Sequence, residues 1–287
     1  MKEQFCTIKC NTFELKDIFD CGQCFRWNKQ KDESYIGVVK NNVIKVSKNK
    51  DEINFKSVGE DDIEKLITYY FDLNRDYDTI KFELSKIDDN MKKSIEYGKG
   101  IRILNQDLWE TIISFIISAN NNIPRIKGII ERMSKKYGKE IIFEGQSFYT
   151  FPTVAELSRA SVEDFRKLGL GFRDVRVYET TQIIKEKQVD LEKLLKEKDF
   201  EKVRNTLLTL PGVGPKVADC ILLFSSLKRW EAFPIDVWVR RVMNELYIHN
   251  EDEKKIKKEE IFKIASEKFG NLAGIAQQYL FYWKREA

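Results

Sequence analysis

Two hydrophobic periods divide the chain. Up to about residue 60, apolar and β-branched residues alternate with polar ones or run together. CFRWNKQ (24–30), SYIGVVK (34–40), VIKVSK (43–48) and INFKS (53–57) are the clearest runs. A period of two sends successive side chains to opposite faces of a strand, so these runs predict β-structure. Asn41 and Asn42 lie between two of them, where a tight hairpin turn is expected. Further along, apolar residues recur at spacings of three and four, in IEKLITYYFDL, DLWETIISFIIS, IPRIKGIIERMSKKYG, DVRVYETTQIIKEK, KVADCILLFSSL and LAGIAQQYLFYWK. That period predicts amphipathic helices. The charged 251–269 stretch reads as a solvated helix face. The expectation is an α+β protein: a small antiparallel sheet unit over residues 1–97, then a large helical part over 98–287.

Composition changes this picture little. The 287 residues carry 50 Lys and Arg against 46 Asp and Glu, a net charge of +4. That balance permits a nucleic-acid partner without requiring one. No apolar run is long enough to span a membrane, and the N-terminal MKEQFCTIKCNTFELKD lacks the apolar core of a secretory signal. Five cysteines without such a signal read as reduced thiols of a cytoplasmic protein. The single histidine, His249, argues against chemistry built on histidine triads or clusters.

The stretch LLTLPGVGPKVADC (207–220) is more specific. A helix ending near Leu210, a Pro-Gly-Val-Gly turn, and Pro215 at the first position of a new helix describe a helical hairpin. Gly212 and Gly214 let backbone N–H groups approach a partner, and the new helix adds its own free N–H groups. Together they suit one DNA phosphate. The same turn also serves as an ordinary corner between helices. Lys216 lies in the first turn, where the positive end of the helix dipole should lower its pKa toward a usable amine; an exposed surface lysine is the plain alternative. Cys220 follows four residues on, on the same face, and as a small buried hydrophobe it needs no further role. Asp236, after Phe-Pro-Ile and before VWVRRVMNELY, reads as an N-cap whose carboxylate could also orient a nucleophile or stabilise an oxocarbenium-like sugar.

Lys216 and Asp236 with LPGVG, together with Gly22-Gln-Cys-Phe-Arg-Trp27, Asn120-Asn-Asn-Ile-Pro-Arg125, Leu168-Gly-Leu-Gly-Phe-Arg173 and Ala276-Gln277 with Phe281, occur in one order across nearly the whole chain. They resemble the helix-hairpin-helix (HhH-GPD) DNA glycosylase superfamily, and within it the 8-oxoguanine DNA glycosylases. The resemblance implies a TBP-like sheet domain before a two-lobed helical fold. One lobe is expected from about 98–120 plus the C-terminal helices, the other from the hairpin at about 199–226, with the active site in the cleft between them. It also implies excision of 8-oxoguanine, with cytosine preferred opposite, followed by strand cleavage through a lysine Schiff base.

The roles implied are these. Lys216 is the nucleophile at C1′ and Asp236 the assisting carboxylate. Gly22 senses the N7 hydrogen of 8-oxoguanine, Gln277 reads the Watson–Crick edge, and Phe281 and Cys220 sandwich the flipped base. Asn120 plugs the vacated stack, Phe172 wedges beside it, and Arg125 and Arg173 contact the orphaned cytosine. Gly212, Gly214 and Trp238 contact DNA. The carbonyls of Leu208, Leu210 and Val213 would hold a structural monovalent or divalent cation. Catalysis needs no cofactor, and with no cysteine after Cys220 the iron–sulfur cluster of the endonuclease III and adenine glycosylase branches is not expected. The partner implied is duplex DNA carrying oxidised guanine, met by a monomer in the bacterial nucleoid, with no membrane involved.

Three positions depart from the family pattern: Phe172 where tyrosine is frequent, Trp238 where many relatives have histidine, and Pro124 before Arg125. Cys6, Cys10, Cys21 and Cys24 have spacings that zinc would also fit, although Cys21 and Cys24 bracket the Gly22 motif. A non-catalytic DNA-binding module using only the hairpin is the competing function. A glycosylase for alkylated bases is a third, disfavoured by Lys216 and the Gly22 motif.

Overall fold

The computed structural model describes residues 2–286. Strand β1 (Lys2–Lys9) is followed by helix α1 (Leu15–Phe19), then β2 (Trp27–Lys29), β3 (Tyr35–Val39), β4 (Asn42–Asn49), β5 (Glu52–Gly59) and α2 (Ile63–Tyr70). The strands form one antiparallel sheet in the order β1-β5-β4-β3-β2. Val39 pairs with Asn42, so the turn occupies residues 40 and 41, one position earlier than expected, with Lys40 in the left-handed region at φ 52°. The run at 24–30 yields only the three residues of β2, because Cys24 to Arg26 belong to the buried loop before it. On one face Ile44, Val46, Ile53 and Phe55 meet Phe19, Trp27 and Phe71. Trp27 stacks on Phe19 with centroids 4.3 Å apart and donates its indole N–H to Tyr70 at 2.9 Å. Gly37, its cross-strand partner, has no alternative there: a Cβ would lie 2.4 Å from the indole.

The helical part comprises α3 (Tyr77–Ser85), α4 (Asp89–Tyr97), α5 (Leu108–Ser118) and α6 (Ile123–Tyr137), the hairpin β6 (Glu140–Phe143) and β7 (Gln146–Tyr149), α7 (Val154–Leu157), α8 (Val162–Lys167), α9 (Asp174–Lys185), α10 (Leu191–Lys196), α11 (Phe200–Leu208), α12 (Pro215–Phe224), α13 (Val237–Met243), α14 (Lys258–Phe269) and α15 (Ala273–Glu286). Side-chain caps mark many starts: Asp107 accepts from Glu110 N at 2.9 Å, and Asp199 from Lys202 N at 3.0 Å. In the charged 251–269 segment, α14 begins only at Lys258.

Packing alters the expected organisation in three ways. Ile80, Leu84, Met91 and Ile95 belong to the helical core, and α4 packs on α15, so α3 and α4 join the helical part rather than the sheet unit assigned to 1–97. Helix α5 packs on α12, α6 and α9, which places it with the hairpin helices rather than with the C-terminal ones. The β6–β7 hairpin, absent from the sequence expectation, sets Ile141 and Phe143 against Ile36, Val38 and Val43 on the second sheet face. Strand β3 is therefore buried on both faces, which is why YIGVV does not alternate.

Candidate active site

The hairpin of α11 and α12 brings Lys216 to the start of α12. Gly212 turns the chain at φ 87°, and a Cβ there would lie 3.0 Å from Ile116 and 3.1 Å from the stem of Arg176, so glycine permits the close approach. Gly214 is the N-cap of α12 and faces open space. The first intrahelical bond is Ala218 N to Gly214 O at 2.9 Å. The N–H groups of Lys216 and Val217 precede it and point toward the open N-terminal end, as an anion would require. Helix α11 stops at Leu208, two residues earlier than expected. The Leu210 carbonyl accepts Val213 N–H at 3.0 Å. A cation at this turn would therefore share that oxygen with the backbone, while the Leu208 and Val213 oxygens supply hard donors suited to a group I or II ion.

Lys216 Nζ lies 5.6 Å from the centroid of Phe115, a cation–π contact across α5 and α12. Its side chain also lines an open pocket of about 450 Å³ with Pro215, Ile235 and Phe262. Asp236 is the N-cap of α13, accepting Val239 N–H through Oδ1 at 2.8 Å. Its Oδ2 has no hydrogen-bond partner among the described residues. The expected fall in the Lys216 pKa does not occur: the Cys220 sulfur raises it, burial opposes, and the Asp236 carboxylate raises it further. Burial pushes the Cys220 thiol up to about 11 despite the lysine. The thiol is therefore neutral at neutral pH, where the Asp236 carboxylate is the charge left to hold Lys216 as an ammonium before substrate arrives.

Gly22 sits at φ 87° in the loop between α1 and β2, where an added Cβ would stand 3.1 Å from the Arg285 guanidinium and 3.7 Å from Phe281. The Arg285 guanidinium is 5.0 Å from the Phe281 ring centroid. Gln277 is buried on α15, and its side-chain oxygen has no hydrogen-bond partner among the described residues. An unpaired buried acceptor costs about 1–3 kcal/mol, which a donor on a ligand would recover. Gln277 and Phe281 border a crevice with Phe233 and Met243 that has no room for a water molecule. Cys220 is not among its borders; in the free protein it faces Lys216 instead.

The three asparagines do three jobs. Asn121 caps the end of α5 by donating to Ile117 O at 3.1 Å, and Asn122 caps the start of α6 by accepting Arg125 N–H at 3.0 Å. Asn120 is exposed with φ 49°, and its side chain makes no hydrogen bond among the described residues. Phe172 is 54% exposed and Trp238 48%, the latter with the Arg241 guanidinium 5.6 Å from its ring. Arg125 is exposed. Arg173, in contrast, is 1% exposed and bound to backbone carbonyls, so the free protein does not present it to an orphaned base.

Four positioning residues escaped the sequence reading. Gln23 donates to Ile18 O at 2.8 Å and Arg102 O at 2.7 Å, and accepts Leu104 N–H at 2.9 Å. Gln106 donates to Gln23 O at 2.8 Å and Phe224 O at 2.9 Å, tying the Gly22 loop to the end of the helix that carries Lys216. Gln278 ties the same loop to α15 through Cys21 O at 2.6 Å. Arg132 holds Leu168 O at 2.9 and 2.7 Å, fixing the loop that carries Phe172. A buried glutamine looks like any other in a sequence; only the GQC context of Gln23 marked it. Cys21 and Cys24 lie in different cores, and among the described residues no three His, Cys, Asp or Glu side chains gather around one point.

Comparison with known proteins decides the family. Residues 6–112 match the family model for the 8-oxoguanine DNA glycosylase N-terminal domain, and residues 113–267 match the HhH-GPD superfamily base excision DNA repair protein. A probable N-glycosylase/DNA lyase of Methanothermobacter thermautotrophicus is 34% identical over 253 residues, covering 81% of this chain and 78% of the relative. The chain belongs to the N-glycosylase/DNA lyase family. Its fold matches that of the family: the 8-oxoguanine glycosylase/lyase of Clostridium acetobutylicum in its apo form superposes with a TM-score of 0.91 at 42% identity, over 98% of both chains. The same clostridial enzyme bound to duplex DNA with cytosine opposite 8-oxoguanine gives 0.90 at 42% identity, over 99% of this chain and 98% of that one. The sheet followed by the helical HhH-GPD part is thus the family's α+β architecture, and the enzyme class is glycosylase/lyase.

Proposed function

We propose that this chain excises 8-oxoguanine from duplex DNA, preferentially opposite cytosine, and then cleaves the strand at the emptied sugar. The observation that carries the reading is the pairing of Lys216 with Asp236. Each begins a helix, the carboxylate is close enough to bias the protonation of the amine, and one carboxylate oxygen is unused.

A base inside a duplex hides C1′, so the nucleotide must be flipped out, which costs a few kcal/mol. Asn120 and Phe172, both exposed, fill and wedge the stack, while the N–H groups near Gly212 and Gly214 hold a phosphate and Trp238 supports the flank. The Gly22 carbonyl accepts the N7 hydrogen of 8-oxoguanine; guanine offers a lone pair there, and two acceptors repel. The unused oxygen of Gln277 accepts from the N–H donors of the purine's Watson–Crick edge. Phe281 covers one face, and Cys220 reaches the other as the crevice opens.

Asp236 stabilises the positive charge that grows on the sugar as the C1′–N9 bond lengthens. Lys216, having given up a proton, bonds to C1′; the bonding pair leaves with the base, which takes up a proton. Opening of the C1′–O4′ bond, with a proton passing from the C1′-bound nitrogen to O4′, gives a protonated Schiff base, and loss of a C2′ proton to solvent expels the 3′-phosphate. No step uses a cofactor; a cation held by the Leu208 and Val213 carbonyls would only stiffen the hairpin. Every side chain invoked here belongs to one chain, and the reading is of a monomer acting on nucleoid DNA. Among the described residues, no helix is long and apolar enough to cross a membrane.

Borohydride trapping on a duplex with one 8-oxoguanine opposite cytosine tests the reading. Wild type should form a covalent adduct and Lys216→Gln should bind without forming one. Binding by wild type with neither adduct nor excision would favour a non-catalytic hairpin module.

A further inference from the structure

The last turn of α15 carries an arginine that the mechanism above does not use. Arg285 follows Phe281 by four residues and shares its helical face, and helical side chains lean back over the preceding turn. Its guanidinium comes to rest over the Phe281 ring, 5.0 Å from the centroid. It also touches the Gly22 loop: Nη2 donates to Asp20 O, and Nη1 would stand 3.1 Å from a Cβ on Gly22. Nη1 makes no hydrogen bond among the described residues, and Nε donates outward to Glu286 Oε1 at 2.9 Å. The side chain is mostly buried. A flat, conjugated cation thus fills the angle between an aromatic ring and a glycine backbone. A purine that stacks on Phe281 and brings its N7 edge to the Gly22 carbonyl needs the same two surfaces.

We propose that Arg285 is a gate that sets specificity: in the free enzyme its guanidinium stands in for the nucleobase on Phe281, and an incoming base must displace it. The proposal rests on the base-flipping reading above. One inward bond, to Asp20 O, has to break, while the Glu286 bond lies outside and can be kept as the side chain swings to solvent. The exchange selects a base that recovers what it displaces. 8-Oxoguanine does so through its N7 hydrogen on the Gly22 carbonyl and its Watson–Crick edge on Gln277. Guanine lacks the first bond and sets a lone pair against the carbonyl, so the guanidinium returns. A base that already wins the exchange gains little when the competitor is removed, whereas a base that loses it gains the full factor. Without Arg285, α15 stays tied to the same region by Gln278 on Cys21 O at 2.6 Å and by Tyr282 on Asp17 Oδ1 at 3.2 Å.

The test uses the full chain as wild type, Arg285→Ala and Arg285→Lys. Binding of free 8-oxo-2′-deoxyguanosine is measured by calorimetry, and single-turnover excision on duplexes with 8-oxoguanine or guanine opposite cytosine. Arg285→Ala should bind the nucleoside about tenfold more tightly or better, the order set by one cation–π contact and one charge-assisted bond. It should speed excision of guanine by a similar factor and of 8-oxoguanine by less, so that the ratio of the two rates falls. Arg285→Lys keeps the charge without the flat fork and should lie between. Methylguanidinium should compete with the nucleoside for Arg285→Ala and not for wild type, where the place is filled. Nucleoside binding that Arg285→Ala weakens or leaves unchanged would overturn the gate, since a guanidinium that backs the ring from behind supports the base instead of excluding it. So would an unchanged ratio of excision rates, or no competition by methylguanidinium. Should Arg285→Ala not fold, Arg285→Lys decides by the same nucleoside and excision comparisons. Each of these outcomes beside normal excision of 8-oxoguanine by wild type sinks the gate alone; no excision by wild type sinks the functional reading itself.

Discussion

Replacing Asp236 by asparagine separates two jobs that one carboxylate holds. As a cap, the side chain accepts Val239 N–H at 2.8 Å, and asparagine caps a helix as well as aspartate does. What is lost in stability is the negative charge at a helix start, worth about 0.3–1 kcal/mol. For a protein of this size the melting temperature should fall by about 1–4 °C. Asp236→Ala loses the cap as well, about 1 kcal/mol more. As chemistry, removing a preorganised charge from a developing cation costs about 100- to 1,000-fold in rate. The asparagine variant should therefore be nearly as stable as wild type and at least 100-fold slower in single-turnover excision. Its pH profile carries a second sign. The attacking amine must be deprotonated, and Asp236 is one of the groups holding the Lys216 pKa up. The wild-type rate should rise with pH on the alkaline side, and the residual activity of Asp236→Asn should begin that rise at lower pH. Calorimetry and quenched-flow excision between pH 6 and 10 measure all of this. An asparagine variant within threefold of wild type beside an inactive alanine variant would show the carboxylate to be only a cap, and the reasoning would fail.

Three further outcomes are expected. Gly22→Ala should lose about 1–2 kcal/mol of stability from its φ of 87°, since the Arg285 end 3.1 Å away can move; its discrimination between 8-oxoguanine and guanine, measured as a ratio of excision rates, should fall much further than its stability. Gln106→Ala removes bonds to Gln23 O and Phe224 O and should cost about 1–3 kcal/mol in urea unfolding, with a slower excision step at unchanged DNA affinity. Burial raises the Glu110 carboxyl to about 7, opposed by Arg26 and helped by Asp107. The folded state then holds a proton that the unfolded state releases above its ordinary value of 4.5, so this group erodes stability as pH rises from there to about 7. Glu110→Gln should raise the melting temperature at pH 8 and leave it nearly unchanged at pH 4; an equal change at both would refute the assignment.

Much of the fold was legible because local rules and tertiary packing agree. The Gly-Pro turn, Pro215 and the helical period of KVADCILLF set the hairpin, and the cap at Asp236 follows from residue type and position. The β6–β7 hairpin was not legible: its strands have four residues each and owe their place to the second face of a distant sheet. The ionisation of Lys216 was misjudged because only the dipole of its helix was weighed: the Cys220 sulfur, one turn on, has the larger influence, and Asp236 arrives from twenty residues away. The burial of Arg173 was equally hidden, since nothing in Gly-Phe-Arg says that its guanidinium turns inward to the end of α5.

The crevice beside Gln277 and Phe281 is shut in the free protein. A nucleobase or nucleoside arriving from solution would have to prise it open using only its own few contacts. A base delivered by a bound duplex brings the whole interface to the task. The cellular pool of free purines should therefore compete poorly for the enzyme, and an excised base, once cut from its strand, loses the leverage that admitted it. Product inhibition by the free base should be weak, leaving the cleaved duplex as the slow ligand to depart.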